Sequence, residues 1–378
     1  MSKDIKIIAF YLPQFHPIKE NNEIWGQGFT EWTNVKKASV IYKGQTQPHV
    51  PYNNNYYDLL DANVMRNQAK MAKEYGIDGF CYYHYYFKNG RKLLEKPLEH
   101  MLIDSKVDIP FCFSWANEPW SKRWNGSDAE VFVQQDYGDK KDWEEHFQYL
   151  LPFFKDYRYI MASDSKRPLF LIYKPNEIPN LDQMLMYFNG RAIDYGFDGM
   201  QFMVQFPEKN CLDNSISSLF EGIIEFEPMY TMNSLIGSPE LKKQFIKRQP
   251  AQAIKLILNK LHNKLYDTTR HIYSYDFVMK NSILRKPGPR NYPGIFPGWD
   301  NTPRRGENAT IYLGNTPQKF AEFLRQKMLQ NEQQYHKDIL FINAWNEWGE
   351  GAYLEPDMEN EFAYLEALKR VINLYEKY

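Results

Sequence analysis

Two acidic side chains set three residues apart, hemmed in by tryptophan and glycine, mark the segment Phe341–Pro356, FINAWNEWGEGAYLEP. An apolar run ends at Trp345, and Asn346, Glu347, Glu350 and Glu355 follow within ten residues. Two carboxyl groups facing one sugar can divide labour, one as proton donor and the other as base or nucleophile. A straight strand would aim positions 347 and 350 at opposite faces. Gly349 and Gly351 permit a tight turn, so both acids can converge on one cleft. Burial against Trp345 and Trp348 would then raise the pKa of one of them. Glu347 and Glu350 are the candidate catalytic pair, with Asn346, Trp348 and Glu355 as candidate substrate contacts.

Four further segments repeat this mixture of aromatic, amide and acid. FCFSWANEPW (Phe111–Trp120) offers Trp115, Asn117, Glu118 and Trp120, with Glu118 either touching substrate or serving as a capping or ion-paired acid. YYHYYF (Tyr82–Phe87) offers His84 and Tyr85. His84 lacks neighbours at metal-ligand spacing, which leaves a hydrogen bond to a substrate hydroxyl or a satisfied core histidine. YLPQFH and WGQGFTEW supply Tyr11, Gln14, His16, Glu31 and Trp32, and PGIFPGWDNTPRR supplies Trp299 and Asp300, with Asn301 beside them. Arg304 and Arg305 at the end of that last segment read as ion-pair partners of acids. The sequence has no GxSxG elbow, P-loop, HExxH or DxD triplet, so neither a metal nor a cofactor is expected.

These segments need a frame that brings them together. Short apolar runs recur at Ile5–Tyr11, Gly79–His84, Pro110–Trp115, Leu169–Tyr173, Met200–Gln205, Gly222–Phe226, Pro293–Pro297 and Ile339–Trp345, the pattern of strands buried on both faces. Helical patterns lie between several of them, at Asn63–Tyr75, Asp142–Phe154, Leu181–Tyr195 and Pro317–Gln334, with Thr316 as an N-cap and Glu359–Tyr378 closing the chain. This alternation predicts an α/β fold, a single (β/α)8 TIM barrel spanning residues 1–378, in which the candidate residues fall at strand C-termini. Long insertions are expected near 13–57, read as an aromatic-rich loop without a clear helix, and near 229–279, helical from Pro250 to Lys264.

Composition narrows the class of partner. Aromatics make up 16% of the chain at a mean hydropathy of −0.63, which suits a wet, ring-walled cleft for carbohydrate. The net charge of −1 gives no global field for nucleic acid or an anionic membrane, and basic runs such as Lys242–Lys243 read as solvated surface. No stretch is long enough for a membrane span, and Ile5–Tyr11 reads as a core strand rather than a leader. Cys81, Cys112 and Cys211, far apart in sequence, form no disulfide framework, so a cytoplasmic location is expected.

Taken together, YLPQFHPIKEN, WGQGFTEW, YGIDGFCYYHYYF, PFCFSWANEPW, PGWDNTPRR and FINAWNEWGEGAYLEPD resemble the WbsX-type proteins, related to glycoside hydrolase family 99, the endo-α-mannosidases and endo-mannanases. The motifs run from Tyr11 to Asp357. The resemblance implies a barrel that retains anomeric configuration without a metal, and it places both catalytic acids in Asn346–Gly351. It further implies that Glu347 takes the proton from the sugar 2-hydroxyl while Glu350 protonates the leaving oxygen, through a 1,2-anhydro sugar. YLPQFH differs from the hydrolases' own first-strand pattern, which leaves the sugar open. WbsX-type proteins also carry the label of glycosyltransferases of polysaccharide biosynthesis, and a non-catalytic carbohydrate-binding barrel is a third reading.

Overall fold

The computed structural model describes residues 5–122, 130–205, 218–237, 239–266 and 270–376. Cys211 and the last two residues of the expected closing helix lie outside them. Among the described residues, eight parallel strands follow one another in chain order around a ring. They are β1 (Lys6–Tyr11), β2 (Gly79–Tyr86), β3 (Phe111–Trp115), β4 (Leu169–Ile172), β5 (Gln201–Val204), β6 (Gly222–Ile224), β7 (Asn291–Tyr292 and Gly294–Ile295) and β8 (Ile339–Ile342). β1 pairs with both β2 (Ile8 beside Gly79) and β8 (Lys6 beside Ile339).

The ring closes through β7, which comes in two pieces: Asn291–Tyr292 pairs with β6 and Gly294–Ile295 with β8. Pro293 separates them because it has no N–H to donate. Its carbonyl still accepts a hydrogen bond from the Phe341 N–H at 2.9 Å. A Cβ on Gly294 would lie 2.0 Å from the Glu225 carbonyl oxygen, so the seam admits only glycine there.

Strands such as LFLI and ILFI are buried at every position because helices cover one face and the ring interior takes the other. Inside, the Phe10 ring packs against Tyr83, Phe226 and Phe341 at centroid distances of 5.1–5.8 Å. Cys81 and Cys112, far apart in sequence, are side by side in the β2–β3 register; both are buried and free. Around the ring lie helices including Ala62–Tyr75, Lys140–Phe154, Leu181–Asp194, Pro317–Gln330 and Ala363–Glu376. Thr316 caps the fourth of these, its side chain accepting from the Lys319 N–H at 3.2 Å. No helix of the described residues is long and apolar enough to cross a membrane.

The insertions depart from expectation in one respect. Residues 13–57 hold two seven-residue helices, Lys19–Trp25 and Glu31–Lys37, where a helix-free loop was expected. Two turns are too short to show periodicity in sequence. The second insertion is helical at Met229–Ile236, Pro239–Arg248 and Pro250–Tyr266.

Candidate active site

Just beyond β8 the chain forms a minimal hairpin in which Asn346–Glu347 pairs with Ala352–Tyr353. Its tip, Trp348–Glu350, is a single 3₁₀ turn ended by Gly351 at φ +61°. Side chains three apart eclipse in a 3₁₀ turn, so Glu347 and Glu350 project to one side. The two glycines play different parts. Gly351 supplies the left-handed conformation, whereas Gly349 supplies clearance, since a Cβ there would collide with Glu31.

A single guanidinium gathers the acids. Arg304 donates from Nε to Glu31 Oε1 at 2.8 Å, from Nη2 to Glu347 Oε2 at 2.8 Å and from Nη1 to Glu350 Oε1 at 2.7 Å. One positive charge faces three carboxylates, so the cluster favours taking up a proton. Burial drives the carboxyl groups of both Glu347 and Glu350 above the ordinary carboxylate range, opposed by Arg304 and reinforced by the neighbouring acids. The two titrate as a pair. Glu347 is the more enclosed of the two, with a side-chain exposure of 6% against 22% for Glu350.

The pair opens onto a cavity of about 540 Å³ at the C-terminal mouth of the ring. Of the residues expected to touch substrate, Gln14, Glu31, Tyr85, Glu118, Trp120 and Trp299 line it alongside Glu347 and Glu350. Glu118, which lines the cavity, is also ion-paired with Lys174 Nζ at 2.5 Å.

The other expected contacts lie behind this lining and support it. Asn346 clamps the end of β1, accepting from the Leu12 N–H at 2.7 Å and donating to the Leu12 carbonyl at 3.0 Å. Glu355 is buried and accepts from Tyr57 Oη, Gln68 Nε2 and Trp348 Nε1 at 2.6–2.8 Å. Tyr11 donates to the same Gln68. Trp348 stacks on Tyr353 at 3.8 Å, and Trp32 packs against Trp348 with its indole donating to the Tyr57 carbonyl. Asn117 braces the end of β4 through both backbone groups of Lys174. Trp115 donates to the Tyr86 carbonyl. Asp300 accepts from Gln45 and Gln47 and faces a smaller neighbouring cavity.

Both histidines belong to the core. His84 sits 2.8 Å from His146 Nε2, and burial lowers its pKa to about 3, which keeps it neutral. His16 is buried with Nδ1 3.1 Å from the Pro13 carbonyl oxygen, and burial lowers its pKa to about 4. Among the described residues, no group of His, Cys, Asp or Glu side chains is arranged to hold a metal ion.

Several lining residues were not singled out in sequence: Tyr83, Tyr173, Trp25, Phe226 and Arg304 as more than an ion-pair partner. The alternation of β2 was the available signal for Tyr83, because residues 83 and 85 share a face and 84 takes the other.

Comparison with known proteins bears on the family and the fold. The chain is 34% identical over 372 residues to the uncharacterized protein WxcX of Xanthomonas campestris pv. campestris, covering 97% of this chain and 49% of the relative. It thus spans about half the length of the curated relatives it matches. Among solved structures it resembles the GH99 endo-alpha-mannosidase from Bacteroides thetaiotaomicron, at a TM-score of 0.57 and 14% identity over 100% of this chain and 99% of that one. It also resembles a glycoside hydrolase-like protein, at a TM-score of 0.56 and 11% identity over 98% and 94% of the two chains. At those identities the likeness concerns the fold. The family model described as Glycosyltransferase WbsX matches residues 7–368, and the chain belongs to that family.

Proposed function

We propose that residues 1–378 act as one catalytic unit, a metal-independent glycoside hydrolase or transglycosidase that retains anomeric configuration on a bacterial-type glycan. The observation that carries this reading is the sharing of Arg304 by Glu347 and Glu350 at the wall of a sugar-sized, aromatic-lined cavity. Trp25, Trp120 and Trp299 offer flat faces for the C–H surfaces of sugar rings. Burial shifts both carboxyl groups upward, which brings them closer to the range where side chains exchange protons near neutral pH.

The roles follow the resemblance to family 99. Glu347 accepts the proton of the substrate 2-hydroxyl as that oxygen bonds to the anomeric carbon. The bond from that carbon to the leaving oxygen breaks, and Glu350 gives the leaving oxygen its proton. Water then loses a proton to Glu350 and attacks the anomeric carbon. The 1,2-anhydro ring opens, and O2 recovers its proton from Glu347. Two inversions give net retention.

The family description favours a second reading, glycosyl transfer, for which the donor would be a nucleotide- or lipid-linked sugar. The charge of the cavity opposes it: Glu31, Glu118, Glu347 and Glu350 stand there against Arg304 and Arg305, a poor setting for a diphosphate. A panel of defined oligosaccharides, with products read by mass spectrometry and the anomer by NMR, tests the proposal. Cleavage or transglycosylation that disappears in Glu347→Gln and Glu350→Gln supports it. Product formation only with added nucleotide sugar, accompanied by nucleotide-dependent thermal stabilisation, replaces it with the second reading.

A further inference from the structure

The helix Pro250–Tyr266 packs against the protein with the wrong face. Ile254, Ile257, Leu258, Leu261 and Leu265 fall on one stripe at 3.6 residues per turn, and each is more than half exposed, Leu265 at 75%. Its inward side carries Ala253 together with Asn259 and Asn263, whose side-chain amides donate to the carbonyls of Ile272 and Arg270. Folding alone would bury the leucines and expose the asparagines. The preceding helix, Pro239–Arg248, adds Ile246 to the exposed apolar surface while Phe245 packs inward.

Charge indicates what covers this stripe. Residues 239–266 hold seven Lys or Arg and one acid, Glu240, in a chain whose net charge is −1. On the wheel, Lys255 borders one edge of the stripe and Lys260 and Lys264 the other, all three exposed. An apolar stripe bordered by lysines is the pattern of a helix lying in the plane of a membrane surface, its apolar side chains among the acyl chains and its lysines among anionic headgroups. A second copy of the chain is the poorer occupant, because a symmetric contact would press two such basic belts together.

We propose that the helical insertion Pro239–Tyr266 docks the protein onto an anionic phospholipid surface. The insertion leaves the ring just after β6, where Phe226 and Met229 line the catalytic cavity, so docking and catalysis share one stretch of chain. This rests on the insertion alone and holds whatever reaction the cavity performs.

Sedimentation of the full chain with vesicles of phosphatidylcholine, with and without phosphatidylglycerol, tests it. The expected result is capture by the anionic vesicles, weakened by salt and absent with phosphatidylcholine alone. Leu258→Asp with Leu261→Asp, and separately Lys255→Glu with Lys260→Glu and Lys264→Glu, should each lower capture at least about tenfold. Both sets should keep the circular dichroism of the parent, since every altered side chain is exposed. Failure to bind anionic vesicles at low salt, or undiminished binding by both sets, overturns the proposal. A dimer in light scattering that the aspartate pair splits, without vesicle binding by the parent, assigns the stripe to a second copy and also overturns it.

Discussion

Gly349 and Glu31 leave no room between them: a Cβ on the glycine would lie 1.8 Å from Glu31 Oε1. Gly349→Ala must therefore push Glu31 off Arg304 or distort the turn bearing both proposed catalytic acids. The expected outcome is a stability loss of about 1–3 kcal/mol from overpacking, read as a lower Tm. Turnover should fall at least about tenfold through misplaced carboxylates.

Glu347→Gln and Glu350→Gln each replace an ionisable carboxyl group in a crowded, largely enclosed trio with a neutral amide. Turnover should drop by about 10²–10⁴-fold or more with either change, as expected for loss of an acid or base. Tm should hold or rise, since the substitution relieves like-charge repulsion. Product assays beside thermal melts separate this from a structural role, for which Tm would fall together with activity.

Arg304→Met would leave three carboxylates without their shared counter-charge. Breaking such a buried pairing costs about 3–5 kcal/mol. Arg304 opposes the upward shift of Glu347 and Glu350, so its removal pushes both groups higher still. Any residual activity should show both limbs of its pH–rate profile displaced toward alkaline pH. Arg304→Lys, which keeps the charge and loses the three-way fork, should fall between parent and Met variant in Tm and in the position of both limbs.

Glu355 provides a stability test independent of turnover. Burial raises its pKa from 4.5 to about 7, against the pull of hydrogen bonds from Trp348, Tyr57 and Gln68. Between those values the folded chain keeps a proton that the unfolded chain has released. This contribution is thus complete below the unfolded value and lost as pH rises toward 7, by about 3 kcal/mol at most. Urea unfolding across that interval should show the parent losing stability relative to Glu355→Gln, whose amide does not ionise. Parallel curves would contradict the shift.

The ring was legible in sequence because strands buried on both faces read as unbroken apolar runs, and each of the eight expected runs contains a strand or, for Gly79–His84 and Pro293–Pro297, part of one. The placement of Glu347 and Glu350 on one side followed from their spacing and the glycines around them. Side-chain direction was less legible. His84 drew notice for its chemistry, yet the pleat of β2 turns it toward His146 while Tyr83 and Tyr85 face the cavity. Asn346 and Glu355 sit close in sequence to the acids, but their hydrogen bonds are spent on Leu12 and on Tyr57, Gln68 and Trp348. Arg304 read only as an ion-pair partner of unnamed acids, because its partners lie as far as 273 positions away. The exposed stripe of Pro250–Tyr266 was hidden for another reason: a helical pattern says which residues share a face, and only packing says which face turns outward.

Arg304 joins Glu31, brought by the first insertion, to Glu347 and Glu350, brought by the turn after β8. The partial balancing of these negative charges is thus a long-range property, completed only when distant stretches of polypeptide have found each other. A peptide or fragment bearing Asn346–Gly351 alone would carry the motif without the electrostatics, and grafting that hexapeptide onto a foreign barrel should transfer its letters but not its reactivity.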